Sequence, residues 1–427
     1  MRWVLALSAC LLLILTAWGG ERAVAAHGRP LLKAASSADG SLIASWAASP
    51  QAPTVLSPAG LRGFQNVTLR EIVFSSAAGS IIRVRLTAVD DEEPLEIGRA
   101  TVALAADGGS LVPGTLEQLT FSGRSSAEVP AGSTLLSDPV RLAVPALSRL
   151  AISVYLPDPT GPATQHVGAH ETNYLAPGDR ALDESSGPFT RQLSDWYFLD
   201  ALDTYSPPRY VGAVVALGDS ITAGVGSSAN ADANWPDDLA RRLTALSGPT
   251  LSVVDAGIGG NRILNGSPCC GPSAVERFSA DVADMVGARD VILLEGVNDL
   301  GFSQELSPET LPHTDVSAAQ IISGDEQLIA DAHAAGLRIF GATILPFEGA
   351  RYWTPAAEAK REKVNRWILT SGAFDGTIDF AAAVADPTNT LRLNPAYDAG
   401  DHLHLDDAGY RALADAIPLQ MLLGPAG

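Results

Sequence analysis

Val211-Gly212-Ala213-Val214-Val215-Ala216-Leu217-Gly218-Asp219-Ser220-Ile221-Thr222 is the stretch on which the fold turns. Its apolar run is short, suits a strand buried on both faces of a parallel sheet, and breaks at once into a polar turn. The same rhythm recurs at Leu251 to Ala256, Asp290 to Glu295, Arg338 to Ile344 and Gly376 to Phe380. Amphipathic helical segments lie between these runs: Pro236 to Leu246, Ser273 to Met285, Ala318 to Ala335 and Pro355 to Thr370. The first has Asn234 near its cap and Pro236 in its first turn, as a helix start requires. Strand, loop and helix in alternation predict a doubly wound α/β domain with a five-stranded parallel sheet. Its ligand crevice is expected at the carboxyl ends of the strands.

Upstream the pattern differs. Short alternating stretches separated by Gly, Pro, Ser and Asp run from about Ser41 to Leu156: Val67 to Phe74, Ser80 to Val89, Leu95 to Ala105, Leu135 to Val144 and Arg149 to Leu156. Period two is clearest in Ile82-Arg83-Val84-Arg85-Leu86, which sends arginines to one face and aliphatics to the other. This predicts an all-β sandwich. Between Pro157 and Asp203 no pattern dominates, and Ser206-Pro207-Pro208 reads as a boundary because two prolines prevent regular pairing. The expected organisation is an export signal at 1–26, a β-sandwich accessory domain at 27–205 and the α/β domain at 206–427.

The export signal rests on Arg2, an apolar run from Val4 to Trp18 and the small residues Ala23-Val24-Ala25-Ala26. The run is shorter than the roughly 20 residues of a spanning helix, so cleavage predicts a secreted or periplasmic chain with no stable membrane anchor. Leu7-Ser8-Ala9-Cys10 also fits a lipid-attachment pattern by composition, although that cut would halve the apolar run. Loss of Cys10 leaves the adjacent pair Cys269-Cys270 in an oxidising compartment, where a vicinal disulfide and two packed thiols both remain open. A metal would find no third or fourth ligand beside them.

Hydrophobic residues make up 46% of the 427 and charged residues 18%, which excludes wholesale disorder and predicts a globular protein. A formal charge of −20 excludes electrostatic binding to nucleic acid or an anionic membrane and favours neutral substrates.

Chemistry gathers at the strand ends. Ser220 sits where the first strand gives way to a loop, the place for an exposed nucleophile. Position 222 is Thr, so the second glycine of the G-x-S-x-G elbow is missing and an ordinary α/β-hydrolase is disfavoured. The second strand runs into Asp255-Ala256-Gly257-Ile258-Gly259-Gly260-Asn261-Arg262, the third into Glu295-Gly296-Val297-Asn298-Asp299. The Gly260 amide and the Asn298 carboxamide are donors that could receive an oxyanion; taken singly, the glycines read rather as a tight turn and Asn298 as an Asx turn. Late in the chain comes Asp401-His402-Leu403-His404, a spacing that lets one turn present a carboxylate to an imidazole. His402 is the weaker base because it has no carboxylate three residues before it. His166 and His170, at i, i+4, could suit a metal, but no acidic or Cys partner converges and polar surface is the favoured reading.

Taken together, a strand-end Ser, a Gly-rich strand end, a G-x-N-D strand end and a late D-x-x-H resemble the SGNH or GDSL hydrolase superfamily in the order of its four sequence blocks. The resemblance covers about Val211 to Pro418. It implies a serine carboxylic-ester hydrolase, without metal or organic cofactor. Ser220 is then the nucleophile and Asp401 and His404 complete the triad, with the Ser220 amide, Gly260 and Asn298 as oxyanion donors. Asp255 and Gly259 stand where the family more usually has Asn and Ser. The β-rich front half resembles, by layout, the accessory domains of some secreted carbohydrate esterases. The expected substrates are short-chain or carbohydrate O-acyl (acetyl) esters, small or on a glycan. The rival readings are a lysophospholipase or lipase, and a glycan-binding protein with a relic hydrolase domain.

Overall fold

A computed structural model describes residues 40–424; the expected export signal, with Cys10, lies outside the described residues. The front region holds two antiparallel sheets. One has the order Ser41–Ala47, Leu199–Ser206, Gly79–Thr87, Thr134–Leu136, with Val140–Val144 also pairing along Gly79–Thr87. The other runs Arg191–Leu193, Asn173–Pro177, Val67–Ser75, Ser148–Leu156, Arg99–Leu104, Glu117–Gln118. Val84 and Leu202 of the first sheet share one buried cluster with Leu69 and Ile152 of the second, an arrangement consistent with a β-sandwich. Alternation drives it: Ile82, Val84 and Leu86 are buried while Arg83 and Arg85 lie at the partly open face.

Two expected strands are each split. Leu95 to Ala105 breaks at Gly98, where a Cβ would lie 2.6 Å from the Tyr155 ring. Leu95–Ile97 then pairs with Ala127–Val129, and Arg99–Leu104 joins the six-stranded sheet. Leu135 to Val144 breaks around Asp138, whose carboxylate accepts from Thr120 Oγ1 at 2.7 Å and from the Gly123 amide at 2.7 Å. The segment without a dominant pattern supplies Leu199–Ser206, an inner strand of the first sheet.

The second region is built on five parallel strands: β1 (Tyr210–Gly218), β2 (Thr250–Gly257), β3 (Ala288–Leu294), β4 (Arg338–Ala342) and β5 (Gly376–Ile378). Their order is β2-β1-β3-β4-β5, so the chain reverses direction across the sheet at β1. A crevice opens where strand order switches, and β1 delivers Ser220 there. Helices cover both faces, and their starts follow the sequence signals. The Asn234 side chain accepts from the Asp237 amide, and capping boxes Ser273/Glu276 and Ser317/Gln320 open two more helices.

The two regions are fastened together. Ala44 and Ala47 of the first front strand lie in the core of the α/β region. Ser252 Oγ donates to Ala44 O at 2.7 Å, and the Val253 amide donates to Ser76 Oγ at 3.1 Å. Among the described residues, no helix is long and apolar enough to cross a membrane.

Candidate active site

β1 ends at Gly218, where only glycine fits: a Cβ there would lie 2.2 Å from Thr222 Oγ1 and 2.5 Å from Leu294 O. Asp219 then turns to extended backbone and caps the short helix Ser220–Ala223, its Oδ1 accepting from the Ile221 amide at 2.8 Å. That cap leaves Ser220 at the first helical position, where a backbone N–H has no helical partner. Burial pushes the Asp219 carboxyl above its usual range, and the neighbouring Glu295 carboxyl well above its own.

Three sequence-predicted residues come together. Ser220 is 7% exposed, and its Oγ lies 2.8 Å from His404 Nε2. His404 Nδ1 lies 2.6 Å from Asp401 Oδ2, while Asp401 Oδ1 accepts the amides of His404 at 2.8 Å and Leu403 at 3.0 Å. A carboxylate can only accept, so Nδ1 carries the ring proton and Nε2 accepts from the serine hydroxyl. The hydrogen bond from His404 holds the Asp401 carboxyl well below the usual carboxylate range. The loop itself is braced: the Ala399 amide donates to His404 O at 3.0 Å, and Asp406 caps the next helix, Asp407–Ala416, through the Gly409 amide.

Gly260 and Asn298 follow the ends of β2 and β3, the strands on either side of β1. Gly260 has φ +74° and lies against Cys270, whose Sγ would be 2.5 Å from a Cβ. Only glycine takes that backbone and that approach without strain. Neither its amide nor that of Ser220 donates to any group among the described residues. Asn298, in the first turn of Val297–Gly301, donates from Nδ2 to Asn261 O at 2.9 Å and accepts at Oδ1 from Tyr352 Oη at 3.1 Å.

Sequence reasoning missed the bracing beneath them. Arg277, almost wholly buried, donates to Asn261 Oδ1, Gly218 O, Ala256 O and Ser49 Oγ, at 2.7 to 3.1 Å. It therefore joins the ends of β1 and β2, the loop that carries Gly260 and Asn261, and the front region. Its signal in sequence was only an arginine on a helix, indistinguishable from a surface charge.

Other expectations resolve differently. His402 has no carboxylate three residues before it, yet it meets one four residues earlier, Asp398, with Nδ1 2.6 Å from its Oδ2. Cys269 and Cys270 form the disulfide; Cys269 O accepts from Gln51 Nε2 at 3.2 Å and Cys270 O from Asn261 Nδ2 at 2.9 Å. His166 is buried rather than surface, with Nδ1 2.9 Å from Ser49 O and its ring against Trp196. Among the described residues, no group of three or more His, Cys, Asp or Glu is placed to hold a metal ion.

Residues 216–412 match the GDSL-like lipase/acylhydrolase family, and that stretch is a domain of this family. Solved structures resemble about half of the chain. A lipase/acylhydrolase from Enterococcus faecalis is 18% identical over 51% of this chain and 98% of its own, with TM-score 0.39. A carbohydrate acetylesterase family member from Sinorhizobium meliloti is 17% identical over 50% and 100%, with TM-score 0.38. The native aryl esterase of M. smegmatis is 17% identical over 50% and 99%, with TM-score 0.38. Likeness at these values decides nothing about substrate. No curated protein matches the chain.

Proposed function

We propose that the GDSL-family domain at residues 216–412 is a serine carboxylic-ester hydrolase that works through an acyl-enzyme on Ser220. The observation that carries this reading is the hydrogen-bonded series from Ser220 Oγ through His404 to Asp401, with contacts of 2.8 and 2.6 Å. His404 Nε2 takes the hydroxyl proton as Ser220 Oγ attacks the acyl carbon. The oxyanion accepts from the Ser220 and Gly260 amides and from Asn298 Nδ2. Collapse expels the alcohol, which leaves with the proton held by His404, and water then repeats the sequence on the acyl-enzyme. Asp401 remains ionised throughout and fixes the ring tautomer.

Short-chain or carbohydrate O-acyl esters are the proposed substrates. The net charge of −20 disfavours anionic lipid surfaces and accords with neutral esters. The expected export signal at 1–26, together with the disulfide Cys269–Cys270, supports action outside the cytoplasm. The test is a fluorophosphonate probe read by intact mass and peptide mapping, beside kinetics on a panel from acetylated xylan through p-nitrophenyl esters to lysophospholipid. Stoichiometric label on Ser220, lost in Ser220→Ala together with roughly 10³-fold or more of turnover, is the expected result. Turnover retained in a folded Ser220→Ala protein would remove the mechanism, and a preference for lysophospholipid would replace the substrate class.

A further inference from the structure

We propose that Tyr352 is a positioning residue for the reaction: its phenol fixes which face of the Asn298 carboxamide meets the developing oxyanion. The inference rests on Asn298 being an oxyanion donor.

A primary carboxamide can present either its oxygen or its nitrogen in a given direction, and the two orientations have opposite effects on an anion. Asn261 O can only accept, so the atom 2.9 Å from it must be Asn298 Nδ2. The opposite atom, Oδ1, then faces Tyr352 Oη at 3.1 Å, and the phenol donates to it. With one Nδ2 hydrogen held by Asn261 and Oδ1 held by Tyr352, the second Nδ2 hydrogen is the one left for substrate. Removal of the phenol hydroxyl leaves a buried carboxamide oxygen without its donor, and rotation about χ2 becomes the way to recover a partner. A donor preorganised before reaction becomes one that must be reoriented during it.

The surroundings are built to hold the ring. Tyr352 is buried, with ring centroids 6.2 Å from Phe302 and 6.1 Å from Phe347. Gly301 leaves room for it: a Cβ there would lie 2.3 Å from the Tyr352 ring. Two turns fix its loop, with the Ala350 amide donating to Phe347 O and the Trp353 amide to Ala350 O, each at 3.0 Å. Burial holds the phenol pKa well above its usual value, so the hydroxyl keeps the proton it donates. Asn261 is in turn held by Arg277 at 2.9 Å, so both contacts of the carboxamide end on groups that are themselves packed or hydrogen-bonded.

The test is Tyr352→Phe in the full chain, which keeps the ring and loses only the hydroxyl. kcat is expected to fall about 10-fold with KM changed less than 2-fold, since the lost interaction belongs to the transition state. Affinity for a trifluoromethyl ketone, whose serine adduct carries the oxyanion, should fall in parallel. In an Asn298→Ala background the same substitution should change kcat less than 2-fold, because the group it positions is gone. Tyr352→Leu, a second variant without the hydroxyl, should repeat the loss in kcat if the Phe variant proves unstable. Full kcat in a variant lacking the hydroxyl, or an equal loss with and without Asn298, overturns the proposal. The parent reading fails separately: if Asn298→Ala alone retains full kcat, Asn298 is no oxyanion donor and the role given to Tyr352 falls with it.

Discussion

The loop before the last helices carries two Asp–His pairs, Asp398–His402 and Asp401–His404, and both join Nδ1 to a carboxylate oxygen at 2.6 Å. Each carboxylate also accepts backbone amides: Asp398 those of Gly400 and His402, Asp401 those of Leu403 and His404. They differ in what lies beyond the ring. The His404 side chain is 14% exposed and meets Ser220 from 184 residues away, whereas that of His402 is 55% exposed. His402 has φ +63°, which turns it out of the run of its neighbours and lays its ring over Gly349, with a Cβ at that glycine 3.0 Å from the imidazole. An Asp–His pair is thus cheap in a tight polar loop, because short-range turns supply most of its contacts. Catalytic potential comes from a third group that another element delivers.

Substitution of the histidines should break the comparison most sharply. His404→Asn is expected to lower kcat by about 10³-fold or more, and His402→Asn by less than about 3-fold, on the same soluble ester. The reverse ranking would transfer the base to His402. The carboxylates give the next largest contrast: Asp401→Asn should cost about 10²- to 10³-fold in kcat by replacing a charged, acceptor-only carboxylate with a neutral carboxamide that can also donate, and Asp398→Asn less than about 3-fold. Equal losses would show that the loop's shape, rather than the triad, is what both aspartates maintain.

The smallest effect concerns stability. Because the folded-state pKa of Asp401 is depressed, chiefly by His404, its pairing stabilises the native state fully above the unfolded carboxyl value of about 3.9. That contribution is lost as pH falls from there towards the folded value. The side chain is 54% exposed, so solvent screening limits the contribution. Asp401→Asn should lower Tm by about 1 °C near neutral pH, and the gap should close as pH is taken below about 4. A gap that widens in acid would mean that Asp401 is not the paired carboxylate.

Much of the α/β region was legible because its signals are local. Pro355 to Thr370 is a helix over the very residues its periodicity marks, and the five apolar runs become the five parallel strands within a few residues. The front region was less legible. Leu199–Ser206 carries four polar residues, Asp200, Asp203, Thr204 and Ser206, that are all buried, so it does not alternate as a half-exposed strand does. Asp200 is satisfied by Arg85 at 2.8 Å, a partner 115 residues away that no window of sequence contains. Nor does the run Ser41–Ala47 reveal that Ala44 and Ala47 belong to the core of the other region.

Local pattern alone set the order of elements in the α/β region, the strand-end positions of Ser220, Gly260 and Asn298, and the turn that pairs Asp401 with His404. Each of these follows from periodicity, capping or contacts within a few residues. Packing in three dimensions set which histidine reaches the serine, which way the Asn298 carboxamide faces, and that a buried Arg277 ties two strand ends to the front region. Those outcomes depend on groups brought together by the packing of the sheet. A one-dimensional pattern carries the identity of such groups but not the distance between them.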